Sequence, residues 1–117
     1  MNANNFVKDL YASVDNKDVE GLASKLNESV YFKFSNHEAV NGLSNVLEAN
    51  KGFFASINSM SHTLTGVWQQ GDELICNGQV RYVRHDGSHY SAEFATILTV
   101  MEDKITHYLI YADVSGL

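Results

Sequence analysis

The chain has 117 residues, of which 44% are hydrophobic and 19% are charged, and its formal net charge is -6. This length supports a single domain over residues 1–117 with a core that needs no disulfide or metal, and the lone Cys76 excludes an intramolecular disulfide. The acidic balance without a basic stripe argues against nucleic-acid binding, and no apolar run approaches the ~20 residues that span a bilayer. Because the polar N-terminus lacks the features of a signal peptide, we expect a cytoplasmic protein with no membrane partner.

The first half of the chain is predicted to be mainly helical. Apolar residues recur at helical spacing over residues 4–14, which predicts a first helix, and Asp18 is suited to cap a second one. Residues 30–34 alternate between the two faces of a short strand. Asn41-Gly42 then turns the chain into a third helix, whose inner side runs over residues 46–57.

The second half, from Met60 to Asp113, is predicted to form four long strands. Three turn signals separate them: Gln70-Gly71-Asp72-Glu73, His85-Asp86-Gly87-Ser88 and Glu102-Asp103-Lys104. The whole chain is therefore predicted to be an α+β fold in the order α-α-β-α-β-β-β-β. Three N-terminal helices would pack in the concave face of a strongly curved, mostly antiparallel mixed sheet, which forms a cone.

Both faces of the later strands carry apolar residues, although an antiparallel sheet with one wet face normally alternates more cleanly. Helices can cover only one face in a chain this short. We therefore expect the other face to meet a second subunit in a two-fold homodimer.

With these elements placed, the chain resembles the nuclear transport factor 2-like superfamily and, within it, the SnoaL-like group. The resemblance is carried by residues 10–22, by Asn27-Glu28-Ser29-Val30-Tyr31-Phe32, by Asn41-Gly42, by residues 84–88 and by residues 103–105 leading to Tyr111-Ala112-Asp113. These motifs are specific for the fold and not for a function. The fold hosts polyketide cyclases, ketosteroid isomerases, dehydratases, epoxide hydrolases, non-catalytic binders and interaction domains, so function must be argued from the site.

Two residues are the catalytic candidates. The resemblance implies that Asp113 is a general base, and a carboxylate at the mouth of an apolar cone would have a raised pKa that suits this role. The alternative is a solvated aspartate after the last strand. His62 begins the first long strand and is predicted to share its face with Leu64, Gly66 and Trp68. It could polarise a carbonyl or relay a proton, or it could simply bond to a neighbouring element.

Aromatic and polar residues are predicted to form the wall of a ligand pocket. His107 and Tyr111 alternate with Asp113 on the last strand, and one residue of register decides whether this face lies inside the cone or in the dimer interface. The full set of predicted wall residues is Tyr11, Tyr31, Phe34, Phe53, Trp68, Tyr82, His107 and Tyr111. No metal or cofactor is predicted, because the sequence has neither an H-E-x-x-H spacing nor a phosphate-binding glycine-rich loop.

Three functions remain open at this point. The leading one is a binder of a small, mostly apolar, carbonyl-bearing molecule, with Asp113 removing a proton and His62 or a tyrosine hydroxyl stabilising the enolate in a cyclisation, isomerisation or dehydration. The second is a non-catalytic binder. The third is an interaction module with a filled cone. Small residues predicted to face inward favour a cavity over a filled core, namely Gly66, Gly78, Ser91 and Ala95.

Overall fold

A computed structural model describes all 117 residues of the chain. The helices are α1 (Ala3–Asp15), α2 (Val19–Ala23) and α3 (Leu43–Ser56), and the strands are β1 (Leu26–Phe34), β2 (Val40–Asn41), β3 (Ser59–Gln70), β4 (Glu73–Val83), β5 (His89–Met101) and β6 (Lys104–Ala112). The predicted order of elements is confirmed, with the two-residue β2 as the one addition. None of the helices is both long and apolar enough to cross a membrane.

All six strands form one sheet in the order β2-β1-β6-β5-β4-β3. β1 runs parallel to β6, whereas every other neighbouring pair is antiparallel. The sheet is curled but not closed, with α1 packed on β3 and α3 packed on β1. The predicted α+β fold with a mixed, mostly antiparallel sheet is therefore confirmed.

Helix ends follow local side-chain chemistry. The Asn2 side chain accepts a hydrogen bond from the backbone of Asn5 and so caps α1. Asp18 caps α2 as predicted, by accepting from the backbone of Gly21 at 3.0 Å. α3 begins after Gly42, whose φ of +88° is a left-handed conformation that favours glycine.

The two faces of the sheet differ sharply in burial. On β4, the side chains of Leu74, Cys76 and Val80 point to the helices and are at most 1% exposed. We call this side the concave face and the opposite side, which carries exposed residues such as Gln79 and Arg81, the convex face. Because side chains alternate along each strand, the register of every strand decides which residues line the interior.

A β-bulge in β3 changes that register. Leu64 pairs with Gly78, but Gly66 pairs with Asn77, so Thr65 is an extra residue in the strand. Beyond the bulge, Trp68 pairs with Ile75 on the convex face and is 56% exposed. The prediction that Gly66 and Trp68 share the face of His62 was therefore wrong.

Gly78 has a steric role at the same bulge. A Cβ atom at this position would lie 1.9 Å from the carbonyl oxygen of Thr63, so no side chain fits there. Gly78 is small because the bulged backbone approaches it, and not because it opens a cavity.

Candidate functional site

An aspartate and a histidine meet where α1 packs against β3. Asp15 ends α1, and one of its carboxylate oxygens accepts a hydrogen bond from the backbone N–H of His62 at 2.9 Å. Its other oxygen lies 2.5 Å from His62 Nδ1. The two side chains are 24% and 9% exposed, respectively. Asp15 therefore holds both the backbone and the ring of His62.

This contact determines which ring nitrogen is available. Because Nδ1 faces a carboxylate, it carries the proton of the neutral imidazole, and Nε2 keeps its lone pair. Nε2 is thus the nitrogen left to act on a ligand. If it takes up a proton, the Asp15 carboxylate stabilises the resulting imidazolium, an arrangement that suits a histidine general base.

Two aromatic rings fix the plane of the His62 imidazole. The Tyr11 ring lies 4.4 Å from it, measured between centroids, and the Phe94 ring lies 5.1 Å away at nearly a right angle. The Tyr11 hydroxyl is 2.5 Å from Thr96 Oγ1. Burial raises the pKa of Tyr11 well above its ordinary value, so the phenol is neutral. Since its hydroxyl is already bonded to Thr96, Tyr11 orients His62 and is not a free donor to an oxyanion.

Tyr82 is a second buried tyrosine of the interior. Burial, together with the nearby Asp15 charge, raises the pKa of Tyr82 to about 12. Its ring meets Phe53 of α3 edge-on, with 5.8 Å between centroids. Tyr82 is therefore a neutral phenol that is near Asp15 and in contact with α3.

Cys76 lies deeper in the same interior. Burial raises the pKa of the Cys76 thiol to about 11, which makes it unreactive near neutral pH. Cys76 is therefore a buried, free thiol that packs as an apolar side chain. No group of three or more His, Cys, Asp or Glu side chains is placed to hold a metal ion.

A small pocket opens between β1 and α3. Its volume is about 110 Å³, and its walls include the rings of Phe32, Phe34 and Phe53. His37 and Glu38 lie at its rim, in the segment that connects β1 to β2. Phe34 and Phe53 are the two predicted wall residues that line this pocket, while Tyr11 and Tyr82 belong to the buried interior beside it.

Asp113 does not lie inside the cone. Its side chain is exposed, and one carboxylate oxygen accepts from the backbone N–H of Ser115 at 3.0 Å and from its hydroxyl at 2.6 Å. These bonds lower the pKa of Asp113, whereas a general base in an apolar cone needs a raised pKa. The expected site with Asp113 beside His62 is therefore corrected, and Asp15 stands where Asp113 was expected.

The other predicted wall residues of the late strands lie on the convex face. Tyr111 pairs with Ala95 and is 53% exposed, and His107 pairs with Thr99. The Tyr31 ring packs 5.8 Å from the His107 ring on this same face. These residues and Trp68 therefore do not line the interior of the cone, although Tyr111 borders shallow pockets on the outer surface. The small residues Ser91 and Ala95 also face outward, so they do not enlarge the cone.

Comparison with known proteins shows the family of the chain. Residues 7–108 match the model of the SnoaL-like domain, and the chain belongs to that family. No curated protein sequence matches the chain.

Among solved structures, a protein of Catenulispora acidiphila with a ketosteroid isomerase-like fold, crystallised with trimethylamine, has a TM-score of 0.88 at 15% identity, over 97% of this chain and 89% of that one. An LEH-like epoxide hydrolase of M. tuberculosis has a TM-score of 0.83 at 12% identity, over 97% of this chain and 84% of that one. TerC, crystallised with polyporic acid, has a TM-score of 0.82 at 17% identity, over 97% and 93%. At these identities the likeness shows a shared fold.

Proposed function

We propose that this chain binds a small, mostly apolar, carbonyl-bearing molecule between its helices and the concave face, and that His62 removes a proton from the carbon next to the carbonyl. The observation that carries the proposal is the double contact of Asp15 with His62, which orients the imidazole and leaves Nε2 as the base. The reaction class is the one expected from the sequence, a cyclisation, isomerisation or dehydration through an enolate. The base is His62 rather than Asp113.

We assign each step of the chemistry to one residue. His62 Nε2 accepts the proton, and the charge on the imidazolium is balanced by Asp15. The negative charge that develops on the carbonyl oxygen needs a neutral hydrogen-bond donor, for which we assign the Tyr82 hydroxyl, a phenol close to Asp15 that stays protonated far above neutral pH. The apolar part of the ligand occupies the pocket beside Phe53, whose ring touches Tyr82.

Structural neighbours support binding of small organic molecules by this fold. The Catenulispora protein holds trimethylamine, TerC was crystallised with polyporic acid, and the M. tuberculosis protein is an epoxide hydrolase. We carry over only the ligand class from these proteins, because their sequences are too distant to transfer catalytic residues.

A non-catalytic binder is the second candidate function, and one observation favours it. Neither Asp15 nor His62 lines the pocket between β1 and α3. A ligand confined to that pocket would be bound without reaching the base. In this case Asp15 and His62 serve only to fix α1 on β3.

We further propose that the chain forms a homodimer through the convex face. Four neighbouring strands each place one apolar side chain in a continuous row across this face, in the order Trp68, Ile75, Ile97 and Leu109. Trp68 and Ile75 are 56% and 37% exposed in the single chain. An exposed apolar row of this kind is typical of a surface that another subunit covers.

Exchange of the α-protons of cyclohexanone with D₂O, followed by ¹H NMR, tests the catalytic proposal. His62→Gln should slow the protein-catalysed exchange about 100-fold or more, the usual contribution of a general base. Asp15→Asn should also slow it, because an asparagine amide donates to Nδ1 and moves the imidazole proton to Nε2. The matched control is Asp113→Asn, which removes the other candidate carboxylate and should leave the rate unchanged.

Two outcomes contradict the proposal. If wild type and His62→Gln exchange the protons equally fast, His62 is not the base. If Asp113→Asn slows exchange while His62→Gln does not, the original assignment of the base to Asp113 is restored. Circular dichroism of each variant confirms that a lost rate is not a lost fold.

A further inference from the structure

The pocket between β1 and α3 has an unusual combination of wall groups. Three of its five hydrophobic wall residues carry phenyl rings, namely Phe32, Phe34 and Phe53. The Phe34 and Phe53 rings are in contact, with 5.3 Å between centroids, and the His37 ring stacks on Phe34 at 5.7 Å. The pocket is therefore lined by aromatic faces and edges and not by aliphatic chains alone.

The polar groups at this pocket are mostly hydrogen-bond acceptors. Glu38 contributes a carboxylate at the rim. Asn50 donates one side-chain N–H to the carbonyl of Val46 at 2.9 Å, so its side-chain oxygen and its second N–H are left for a ligand. No lysine or arginine lines the pocket. Carboxylate and amide oxygens repel an anion and favour a group that carries positive charge.

Aromatic rings add to this preference. The face of a phenyl ring is electron-rich and attracts cations, most strongly where water is excluded. Alkylated ammonium groups suit such a site because their methyl groups contact the rings while the charge is spread over them. A volume of about 110 Å³ has room for a group of the size of trimethylammonium.

We propose that this pocket binds a small alkylated ammonium group, held by the three phenylalanine rings and by the Glu38 carboxylate. The inference rests on the proposed function and sharpens it, since it assigns the chemistry of the ligand end that lies away from His62. The carbonyl end would lie toward Tyr82, whose ring touches Phe53.

Choline and 3,3-dimethylbutan-1-ol provide a matched pair of probes, because they have the same shape and differ in one positive charge. Binding of each is measured by ¹H–¹⁵N NMR titration, with the side-chain amide signals of Asn50 as the local reporter. Choline should bind about tenfold or more tightly than the neutral alcohol, in keeping with a cation–π contribution in a partly desolvated site.

Two variants separate a local effect of Glu38 from the overall acidity of the chain. Glu38→Gln should weaken choline binding about two- to fivefold, because Glu38 is exposed, and leave binding of the alcohol unchanged. Glu48→Gln removes an equal charge from an exposed position on α3, where Glu48 pairs with Lys51 at 3.3 Å, and should change neither. Phe34→Leu keeps the pocket apolar but removes one ring, and it should weaken choline more than the alcohol.

The inference is overturned if the alcohol binds as tightly as choline, if neither probe shifts the Asn50 signals, or if the two glutamate variants weaken choline equally. These results are distinct from failure of the proposed function, which is read from proton exchange by His62. Equal binding of both probes would mean that the pocket binds neutral apolar molecules. Selective binding of choline without any proton exchange would mean that the chain binds its ligand without catalysis.

Discussion

The two faces of the sheet are built from alternate residues of the same strands, yet they differ in burial and in the surroundings of their polar and apolar side chains. On the concave face, polar groups are few and bonded to each other, as Tyr11 is to Thr96 and Asp15 is to His62. On the convex face, apolar side chains such as Trp68 and Ile75 stay exposed among polar neighbours. The comparison teaches that residue type alone does not identify a site in this fold. The face on which a side chain lies decides its role.

Substitution of neighbouring residues on β5 provides the strongest test of this difference. Leu98 is fully buried on the concave face, so Leu98→Ala should lower the free energy of unfolding by about 2–5 kcal/mol. Ile97 lies next to it on the convex face and is only partly buried, so Ile97→Ala should cost less than about 1.5 kcal/mol. Urea denaturation at a protein concentration low enough to keep the chain monomeric measures both losses. Equal losses would show that the convex face is packed as tightly as the interior.

A charge placed in the convex apolar row tests whether that row is an interface. Ile75→Lys should weaken the homodimer by about 2 kcal/mol or more, because a lysine replaces an apolar group in the middle of the contact. Gln79→Lys, on the same strand and the same face but outside the row, is the matched control and should have little effect. Sedimentation velocity over a range of concentrations gives the association constants. A wild-type chain that stays monomeric throughout removes the dimer proposal.

The concave face holds a thiol and a phenol that are neutral near pH 7 and that become charged when they lose their protons at alkaline pH. The pKa of the Cys76 thiol is raised in the folded chain, from 9.0 to about 11, and that of Tyr82 from 10.0 to about 12. The unfolded chain therefore loses these protons first. The contribution of the two neutral groups to the free energy of unfolding is therefore complete below about pH 9. It is lost as the pH rises through the pKa values of the folded chain, by up to about 1.4 kcal/mol per pH unit for each group.

The measurement is the urea midpoint between pH 8 and pH 10.5. Cys76→Ala removes the first of the two groups, so its stability should fall less steeply than that of wild type between pH 9 and pH 10. Identical slopes for the two proteins would mean that Cys76 remains neutral in both states or ionises freely in the fold.

The order of elements could be predicted from the sequence because its signals are local. Helical spacing, strand alternation and the Asp86-Gly87 turn all act within a few residues of each other. Asp18 was correctly assigned as a helix cap for the same reason. β1 begins at Leu26 and not at the predicted residue 30, because Asn27-Glu28-Ser29 lacks the alternation that indicates a strand.

The site was harder to predict because it depends on register and on contacts between distant residues. The bulge at Thr65 leaves no clear signal in the sequence, and it moved Trp68 to the other face. Asp15 and His62 are 47 residues apart, so their contact exists only once α1 packs on β3. One signal was available: Tyr11 and Asp15 are four residues apart on the same helical face, which places a carboxylate beside an inward aromatic ring.

Asp113 carried a local signal that argued against its assignment. An aspartate two residues before a serine favours a turn in which the carboxylate bonds to the serine backbone and hydroxyl. The chain shows this twice, at Asp86 with Ser88 and at Asp113 with Ser115. In both places the pKa of the aspartate is lowered by these bonds.

The parallel pairing of β1 with β6 has a consequence for how the chain folds. β1 is the first strand to leave the ribosome and β6 is the last, so one long edge of β1 has no partner until the other strands have been synthesised. Pairing of such distant segments requires closure of a long loop, which slows folding. During that interval the apolar face of β1, including Val30 and Phe32, depends on α3 for cover. Substitutions that weaken α3 should therefore lower the yield of folded protein more than they lower the free energy of unfolding of the folded chain.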